Sequence, residues 1–431
     1  MKCIGRKILA TVGVLLVATL TVAAQLEPSS GLGDDRQIVE RSPLEDFRGS
    51  GDLTSQRDHV WNVFAQLTRT AAGENRPGFE SWYGEDQVFE RDSFTEGPPR
   101  GIRGFSRRDP DGTQPSEDER NLQIADVPVL TYTLYNDAAY RHIRSNRLNS
   151  ISVLEKLRTT GPQDSVIAAG RSIPPFPTQA IVMKTVWWPI AQDAITALPV
   201  WDAESNAPRR DGNSYLSWRR VVAIDSLKHA AQVTTADVQF AGREFPGVSR
   251  FGLDAFYHVV VDARLAEHLM RDREARKTTF IALGRALKAG DYIALVGANV
   301  ATREIRDWIW AAFWWHDRAD HGPFAAGRPD ELRSQWQNYL MQVAFDSSAP
   351  AEADGAAHIC FNPWLEGRFP DGGNGGGTSS NCLACHQRAS YPAVNFLPVT
   401  RGAPDFANDP AYAPGKLRTA FLWSIALHAR P

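Results

Sequence analysis

Residues 379–386 read Ser-Ser-Asn-Cys-Leu-Ala-Cys-His, so two of the four cysteines of the chain stand close together with a histidine directly after them. Ser379, Ser380 or Asn381 can cap a short helix over this motif, because their side chains accept hydrogen bonds from first-turn N–H groups. Pro392 ends such a helix, since proline lacks the N–H that a helix interior uses. One helical turn is therefore expected to carry both thiols and the imidazole.

This spacing, Cys-x-x-Cys-His, is the attachment signature of haem c. Two residues between the cysteines let one helical turn present both thiols to the vinyl groups along one edge of the porphyrin. His386 then lies under the iron as its proximal axial ligand. Its other ring nitrogen is expected to donate a hydrogen bond to a backbone carbonyl, which fixes the tautomer.

By Cys382, Cys385 and His386 the chain resembles the c-type cytochromes. The resemblance extends over the surrounding residues 358–431, and the rest of the chain resembles large exported proteins that carry a single haem. It implies one covalent haem c, held by the two cysteines with His386 on the iron. It also implies the transfer of single electrons to and from redox partner proteins.

Two other kinds of site use closely spaced cysteines. A thioredoxin-like Cys-x-x-Cys follows a strand and opens a helix, whereas residues 372–377 are five glycines and one asparagine, which favours a loop. A zinc site needs further ligands at close spacing, and the chain contains no second Cys-x-x-Cys. Haem c is therefore the favoured interpretation.

The sixth ligand of the iron is left open by the residues after the motif. No methionine follows Met341, so the downstream methionine of many small cytochromes is missing. Lys416 and His428 are the conventional nitrogen donors in this part, and His428 lies on the packed face of a predicted C-terminal helix, 415–429. A histidine on such a face is more often a core residue than a ligand.

The upstream candidates for the distal ligand lie in segments that are predicted to be strands. Alternation places three tryptophans and one histidine on one strand face, namely Trp308, Trp310, Trp314 and His316. This aromatic wall could cover a haem face with His316 on the iron, or it could be ordinary sheet core. His258 and Met183 are further candidates. If none of them binds, the sixth position is open to solvent or substrate.

Cys360 stands outside the motif. A buried Cys behaves as a small hydrophobic residue, and this is the default interpretation. Contact with the haem and pairing between molecules are the alternatives. Cys3 belongs to the N-terminal segment described next.

The first 24 residues have the pattern of a secretory signal peptide. Lys2, Arg6 and Lys7 precede the uncharged apolar stretch 8–22, and small residues follow. We expect cleavage after Ala24 and a periplasmic or secreted mature chain, with an uncleaved anchor as the alternative. No later apolar stretch reaches the roughly 18 residues of a transmembrane helix, so no span is expected in the mature chain.

The overall composition is that of a globular protein, with 43% hydrophobic and 23% charged residues. Its net charge is −3, from 47 basic and 50 acidic side chains. A nucleic-acid-binding surface needs clustered basic side chains. Nucleic acid is therefore not an expected partner.

The hydrophobic patterns predict an α+β fold in three parts after the signal peptide. These are residues 25–125 with an N-terminal helix (59–70) and long polar loops, a β-rich middle domain at 126–345, and a small, mainly helical haem c segment at 346–431. Further helices are predicted at 133–158 and 263–288, and strands at 179–188, 218–226, 255–262, 291–299 and 308–316.

Two functions fit these features. The first is a periplasmic monohaem cytochrome that passes single electrons between partner proteins. The second is a peroxidase-like haem enzyme or a haem-linked sensor with an open sixth position, because the chain is much longer than an electron carrier needs. Enzyme activity is thus left undecided by the sequence, with the carrier favoured.

Overall fold

Seven antiparallel strands form the central sheet. In spatial order six of them are β1 (Tyr83–Gly84), β2 (Leu130–Tyr135), β4 (Ile181–Ile190), β10 (Tyr292–Thr302), β11 (Ile309–Trp315) and β12 (Tyr339–Ala344). The seventh, β9 (His258–Val260), pairs with the start of β10. The computed structural model describes residues 43–48, 50–70, 76–89, 127–167, 170–203, 213–227, 234–369, 376–394 and 400–431.

The sequences of the three strands β4, β10 and β11 explain why they occupy the middle of this sheet. They are rich in β-branched and aromatic side chains, and Lys184 is the one charged residue in them. Such side chains fit a pleated surface, and a strand covered on both faces reads as a continuous apolar run. The predicted strands 179–188, 291–299 and 308–316 are confirmed to within a few residues.

The register of these strands assigns their side chains to two faces. Asn299 of β10 lies opposite Lys184 of β4 and Ala312 of β11. The face that they share, here called the motif face, carries Val182, Lys184, Asn299, Ala301, Trp310 and Ala312. The helix that bears the Cys-x-x-Cys-His motif packs against β11, with His386 against Trp310.

The opposite face carries the larger part of the hydrophobic core. Met183 and Phe313 point to it, and helix α1 (Leu53–Thr68) packs there with Phe64 stacked on Phe313 at a centroid distance of 4.1 Å. The amphipathic pattern predicted for 59–70 is confirmed as part of α1. Cys382 and Leu383 of the motif helix lie in a second buried cluster together with Trp310 and Ile425. The motif therefore belongs to a smaller packed core of its own.

Two smaller sheets and seven further helices surround the central sheet in the described residues. One sheet has the order β5 (Ile195–Val200), β6 (Arg220–Asp225), β8 (Arg243–Gly252), β7 (Thr234–Phe240), and the other has the order β13 (Ser390–Tyr391), β14 (Leu417–Arg418), β3 (Arg171–Ser172). The helices are α2 (Glu85–Phe89), α3 (Asp137–Ser145), α4 (Ile151–Thr160), α5 (Ala263–Arg271), α6 (Arg273–Leu283), α7 (Cys382–His386) and α8 (Trp423–His428). The protein is an α+β fold.

Three predicted helices are wrong in part. The predicted helix 263–288 forms α5 and α6 with Asp272 between them, and α6 ends at Leu283. The predicted helix 133–158 starts inside β2, and the chain then forms α3 and α4 as separate helices. The predicted helix 415–429 is reduced to α8. The left-handed backbone at Ala420 (φ 48°) and Phe421 (φ 70°) interrupts it, because an α-helix needs negative φ at every residue. The segment 346–431, predicted to be mainly helical, has α7 and α8 as its α-helices among the described residues, with five and six residues.

Some predictions lie outside the described residues, namely the signal peptide 1–24 and the parts of the predicted polar loops at 25–42 and 90–125. Contacts join Ser42–Pro431 into one compact unit, and the boundaries drawn at 125 and 345 stay predictions. No helix among the described residues is long and apolar enough to cross a membrane.

Candidate functional site

The cap residue Asn381 fixes the position of α7. Its Oδ1 accepts a hydrogen bond from the Ala384 N–H at 3.2 Å, while its Nδ2 donates to the carbonyl oxygens of His358 (3.0 Å) and Asp346 (3.2 Å). Asn381 is fully buried. The predicted short helix is confirmed, and its cap ties it to the segment that leaves β12.

The imidazole of His386 is held at one ring nitrogen and along one ring face. Its Nδ1 lies 2.8 Å from the carbonyl oxygen of Phe421, so the Nδ1–H donates and the predicted hydrogen bond to a backbone carbonyl is confirmed. The Trp310 ring packs on the imidazole at a centroid distance of 3.9 Å. This arrangement leaves Nε2 as the nitrogen with a free lone pair.

The charge state of His386 also suits a metal ligand. Desolvation by the surrounding protein lowers the pKa of His386 to about 4, the Phe421 hydrogen bond opposes the shift, and the positive charge of Lys184 adds to it. The imidazole is therefore neutral at pH 7. A neutral imidazole is the form that binds a metal.

The two motif thiols have different surroundings. Cys382 is 3% exposed and its Sγ lies 4.0 Å from the Sγ of Cys360. Cys385 is half-buried, and its Sγ accepts from the Thr400 N–H at 3.4 Å. Contact with Cys360, followed by burial, raises the pKa of the Cys382 thiol well above its ordinary value, and burial raises the pKa of Cys385.

These raised pKa values weaken the thioredoxin-like alternative. A dithiol that exchanges disulfides needs a cysteine with a lowered pKa, because the thiolate is the nucleophile. Cys382 and Cys385 are both shifted in the opposite direction. For the zinc alternative, no group of three His, Cys, Asp or Glu side chains in the described part of the chain is arranged to hold a metal ion.

A second feature of the site is an indole without a hydrogen-bond partner. The Trp310 side chain is 4% exposed, and within the described residues its Nε1 has no acceptor. A buried N–H left unpaired costs about 1–3 kcal/mol, and such atoms in native proteins call for an explanation. The Nε1 atoms of Trp201, Trp308 and Trp314 have no partner among the described residues either, so this donor alone does not mark a ligand site. Cys382, Cys385 and the Nε2 of His386 are the groups that would hold a haem c.

A buried polar cluster on the motif face was not predicted. Asn299 Nδ2 donates to Glu366 Oε1 at 3.0 Å, and Glu366 Oε2 accepts from the Asn362 N–H at 2.6 Å. Burial raises the pKa of the Glu366 carboxyl, and the hydrogen bonds and the charge of Lys184 oppose this. Single polar residues inside apolar strands, Lys184 in β4 and Asn299 in β10, are the sequence signal that could have identified it.

The structure places two predicted distal ligands far from His386 along the sheet. His316 comes directly after β11, six residues after Trp310, which at about 3.3 Å per residue separates them by roughly 20 Å. His258 pairs with Ala294 of β10, and Trp310 pairs with Ala301 of the same strand. These two β10 residues are seven positions apart, which places His258 roughly 23 Å from Trp310 along the strand. Neither is brought together with the motif.

The other candidates are engaged elsewhere. His428 Nε2 lies 3.1 Å from Glu85 Oε1, and Lys416 Nζ donates to the Pro392 carbonyl oxygen at 2.8 Å. Met183 is fully buried on the opposite face of the sheet. Among the described contacts, none joins any of the predicted sixth ligands to His386, so the distal ligand stays open.

Comparison with known proteins finds no matching family model, no matching curated protein and no matching solved structure. The candidate site therefore rests on its own residues. The structure brings Cys382, Cys385 and His386 together on α7, and it adds Cys360, Trp310 and the carbonyl of Phe421 around them.

Proposed function

We propose that this protein binds one haem c through thioethers at Cys382 and Cys385, with His386 on the iron, and transfers single electrons between redox partner proteins. The observation that carries the proposal is the 2.8 Å hydrogen bond from His386 Nδ1 to the Phe421 carbonyl. It supports ligation because it fixes the tautomer whose Nε2 lone pair is available.

The residues around His386 orient this ligand. The carbonyl of Phe421 holds Nδ1 and raises the basicity of the imidazole, as outer partners of metal-bound histidines do. Trp310 packs against the ring at 3.9 Å and limits its rotation. Haem, when bound, supplies an iron centre that accepts and releases one electron at a time. Trp310 is 4% exposed and covers one face of the ring, which limits the access of water and thereby influences the potential.

The proposed location is the periplasm or the exterior. It is supported by the basic start, the apolar stretch and the small residues before Gln25. A location in the periplasm or the exterior agrees with the proposed attachment of haem c to the chain. The partners would be redox proteins, and the negative net charge gives no support for nucleic acid.

A haem enzyme or sensor with an open sixth position is the second candidate. It is favoured by one observation: His316, His258 and Met183 lie away from His386 along the sheet or on its other face. A small ligand could then reach the iron. In this version the motif residues keep the same roles, and the difference lies in the distal ligand.

A spectroscopic experiment separates the two candidates. The full chain is produced in a bacterial host that attaches haem c, and absorption spectra of both oxidation states are recorded with and without carbon monoxide or cyanide. Low-spin iron that ignores both ligands supports the electron carrier, and high-spin iron that binds them supports the enzyme or sensor. His386→Ala should change the wild-type spectrum in either case. A purified chain that shows no haem absorption in this host refutes both.

A further inference from the structure

Cys360 and Cys382 lie side by side in a buried position. Their Sγ atoms are 4.0 Å apart, Cys360 is fully buried and Cys382 is 3% exposed. The Cys382 N–H donates to the Cys360 carbonyl oxygen at 2.8 Å, and the Cys360 N–H donates to the Ser380 carbonyl oxygen at 2.9 Å. These hydrogen bonds form a parallel bridge between Cys360 and Asn381, the residue before Cys382, and bridged backbones lie about 5 Å apart.

This spacing suits a covalent bond between the two sulfurs. Disulfides join Cα atoms about 4.4–6.8 Å apart, with an S–S bond of about 2.05 Å. The thiols already face each other, so closing the gap requires side-chain rotation while the backbone hydrogen bonds remain. Cys385 is differently placed, because its sulfur accepts from the Thr400 N–H at 3.4 Å.

We propose that Cys360 and Cys382 form a disulfide bond in the haem-free protein. The reaction joins the two sulfurs, releases two protons and passes two electrons to an oxidant. Oxidised glutathione is a sufficient oxidant during folding, while both thiols are still accessible, because exchange converts it into two thiols. The bond itself does not depend on haem.

Its consequence does rest on the proposed function. A sulfur in a disulfide cannot add to a vinyl group, so Cys382 has to be reduced before haem is attached. A dithiol reductant would open the bond and would itself become a disulfide. Once Cys382 is a thioether, Cys360 remains as a buried thiol. Cys360 thus controls whether the first cysteine of the motif is available.

The test uses the full chain with Cys3→Ser, so that three cysteines remain. The protein is produced without haem c attachment, refolded in a glutathione redox buffer, alkylated at acidic pH and digested without reduction. Mass mapping should find the Cys360–Cys382 linked peptide as the main disulfide species. The link should persist in Cys385→Ala and disappear in Cys360→Ala and in Cys382→Ala.

Other outcomes overturn the proposal. A main product linked between Cys382 and Cys385, or a chain with three free or glutathione-modified cysteines, excludes the bond. Cys385→Ala is the decisive variant if Cys360→Ala does not fold, because it leaves the proposed pair intact. A linked peptide combined with no haem in an attachment-competent host would sink the proposed function and leave the disulfide standing. Haem in that host without the linked peptide would refute the disulfide and leave the proposed function standing.

Discussion

The two faces of the central sheet differ in how many of their buried polar atoms have hydrogen-bond partners. On the face covered by α1, Trp315 Nε1 donates to the Ala255 carbonyl at 3.0 Å, and the hydroxyl of Tyr339 donates to the Leu295 carbonyl at 2.7 Å. On the motif face, to which alternation along β11 adds Trp314, the Nε1 atoms of Trp310 and Trp314 and the Oδ1 of Asn299 have no partner among the described residues. On α1, the buried Gln56 Oε1 has none either.

This difference affects stability. Each unpaired buried donor or acceptor costs about 1–3 kcal/mol, so a stability-driven core pairs its polar atoms. The motif face keeps three unpaired atoms and lies against the helix that carries Cys382, Cys385 and His386. Among the described residues, the motif face has more of these unpaired atoms than α1, where Gln56 Oε1 is one.

Removing the cap of the motif helix should give the largest loss of stability. Asn381→Ala removes one cap bond and two bonds to buried carbonyls, so we expect a loss of about 3 kcal/mol in the free energy of unfolding. Asn338→Ala, the control on the other face, removes one bond of 3.1 Å and should cost about 1 kcal/mol. Urea unfolding of both variants measures this, and equal losses would break the comparison.

A matched pair of indole replacements compares a paired indole N–H on one face of the sheet with an unpaired one on the other. Trp315→Phe and Trp310→Phe remove similar volumes at positions that are 2% and 4% exposed. Only Trp315 loses a hydrogen bond, so it should be the more damaging change by about 1 kcal/mol in the haem-free protein. Thermal and urea unfolding give the two values. A larger loss for Trp310→Phe would show that its N–H has a partner.

The left-handed turn before α8 should be stabilised by glycine. Ala420 has φ 48°, a region that costs an ordinary residue about 1 kcal/mol and glycine almost nothing. Ala420→Gly should therefore raise the free energy of unfolding by up to about 1 kcal/mol. Ala429→Gly, at φ −59°, should lower it by about 0.5 kcal/mol. A destabilising Ala420→Gly would argue against the turn that presents the Phe421 carbonyl.

A pH effect is expected in the segment that leads into Cys360. Glu352 Oε1 lies 3.1 Å from His358 Nδ1 and accepts from the Ile359 N–H at 2.6 Å. The contact with His358 and the Ile359 hydrogen bond lower the pKa of the Glu352 carboxyl, and burial opposes them. A lowered carboxyl pKa stabilises the fold above the unfolded pKa of about 4.3, and the contribution is lost as pH falls through the lower folded pKa.

Glu352→Gln should therefore be less stable than the wild type at pH 7. Because the carboxylate is partly exposed, we expect a difference of only about 0.5 kcal/mol, vanishing near pH 3. Unfolding curves across this pH range measure it. Glu267→Gln, which alters an exposed pair with Arg271 on α5, is the control. A gap that widens toward acid would contradict the assignment.

Local patterns allowed much of this structure to be predicted from the sequence. The helix at Cys382–His386 and its Asn381 cap follow from neighbouring residues, and the apolar runs of β4, β10 and β11 follow from burial on both faces. The strands β7 and β8 were missed because many of their side chains are exposed. An exposed strand has a weaker apolar pattern.

Contacts between distant segments could not be predicted in the same way. The sequence predicted that a backbone carbonyl accepts the His386 hydrogen bond. Which carbonyl it is depends on a left-handed turn at Phe421, 35 residues later. Likewise, Cys360 lies beside Cys382 because two extended segments pair across 22 residues. No local pattern encodes either pairing.

Intact-mass spectrometry of the denatured chain, purified from a host that attaches haem c, tests the central claim most directly. The account predicts a wild-type mass that exceeds the mature chain by one haem, and a Cys382→Ser/Cys385→Ser double variant without this addition. A wild-type chain of unmodified mass would contradict the account, as would a double variant that keeps the haem mass.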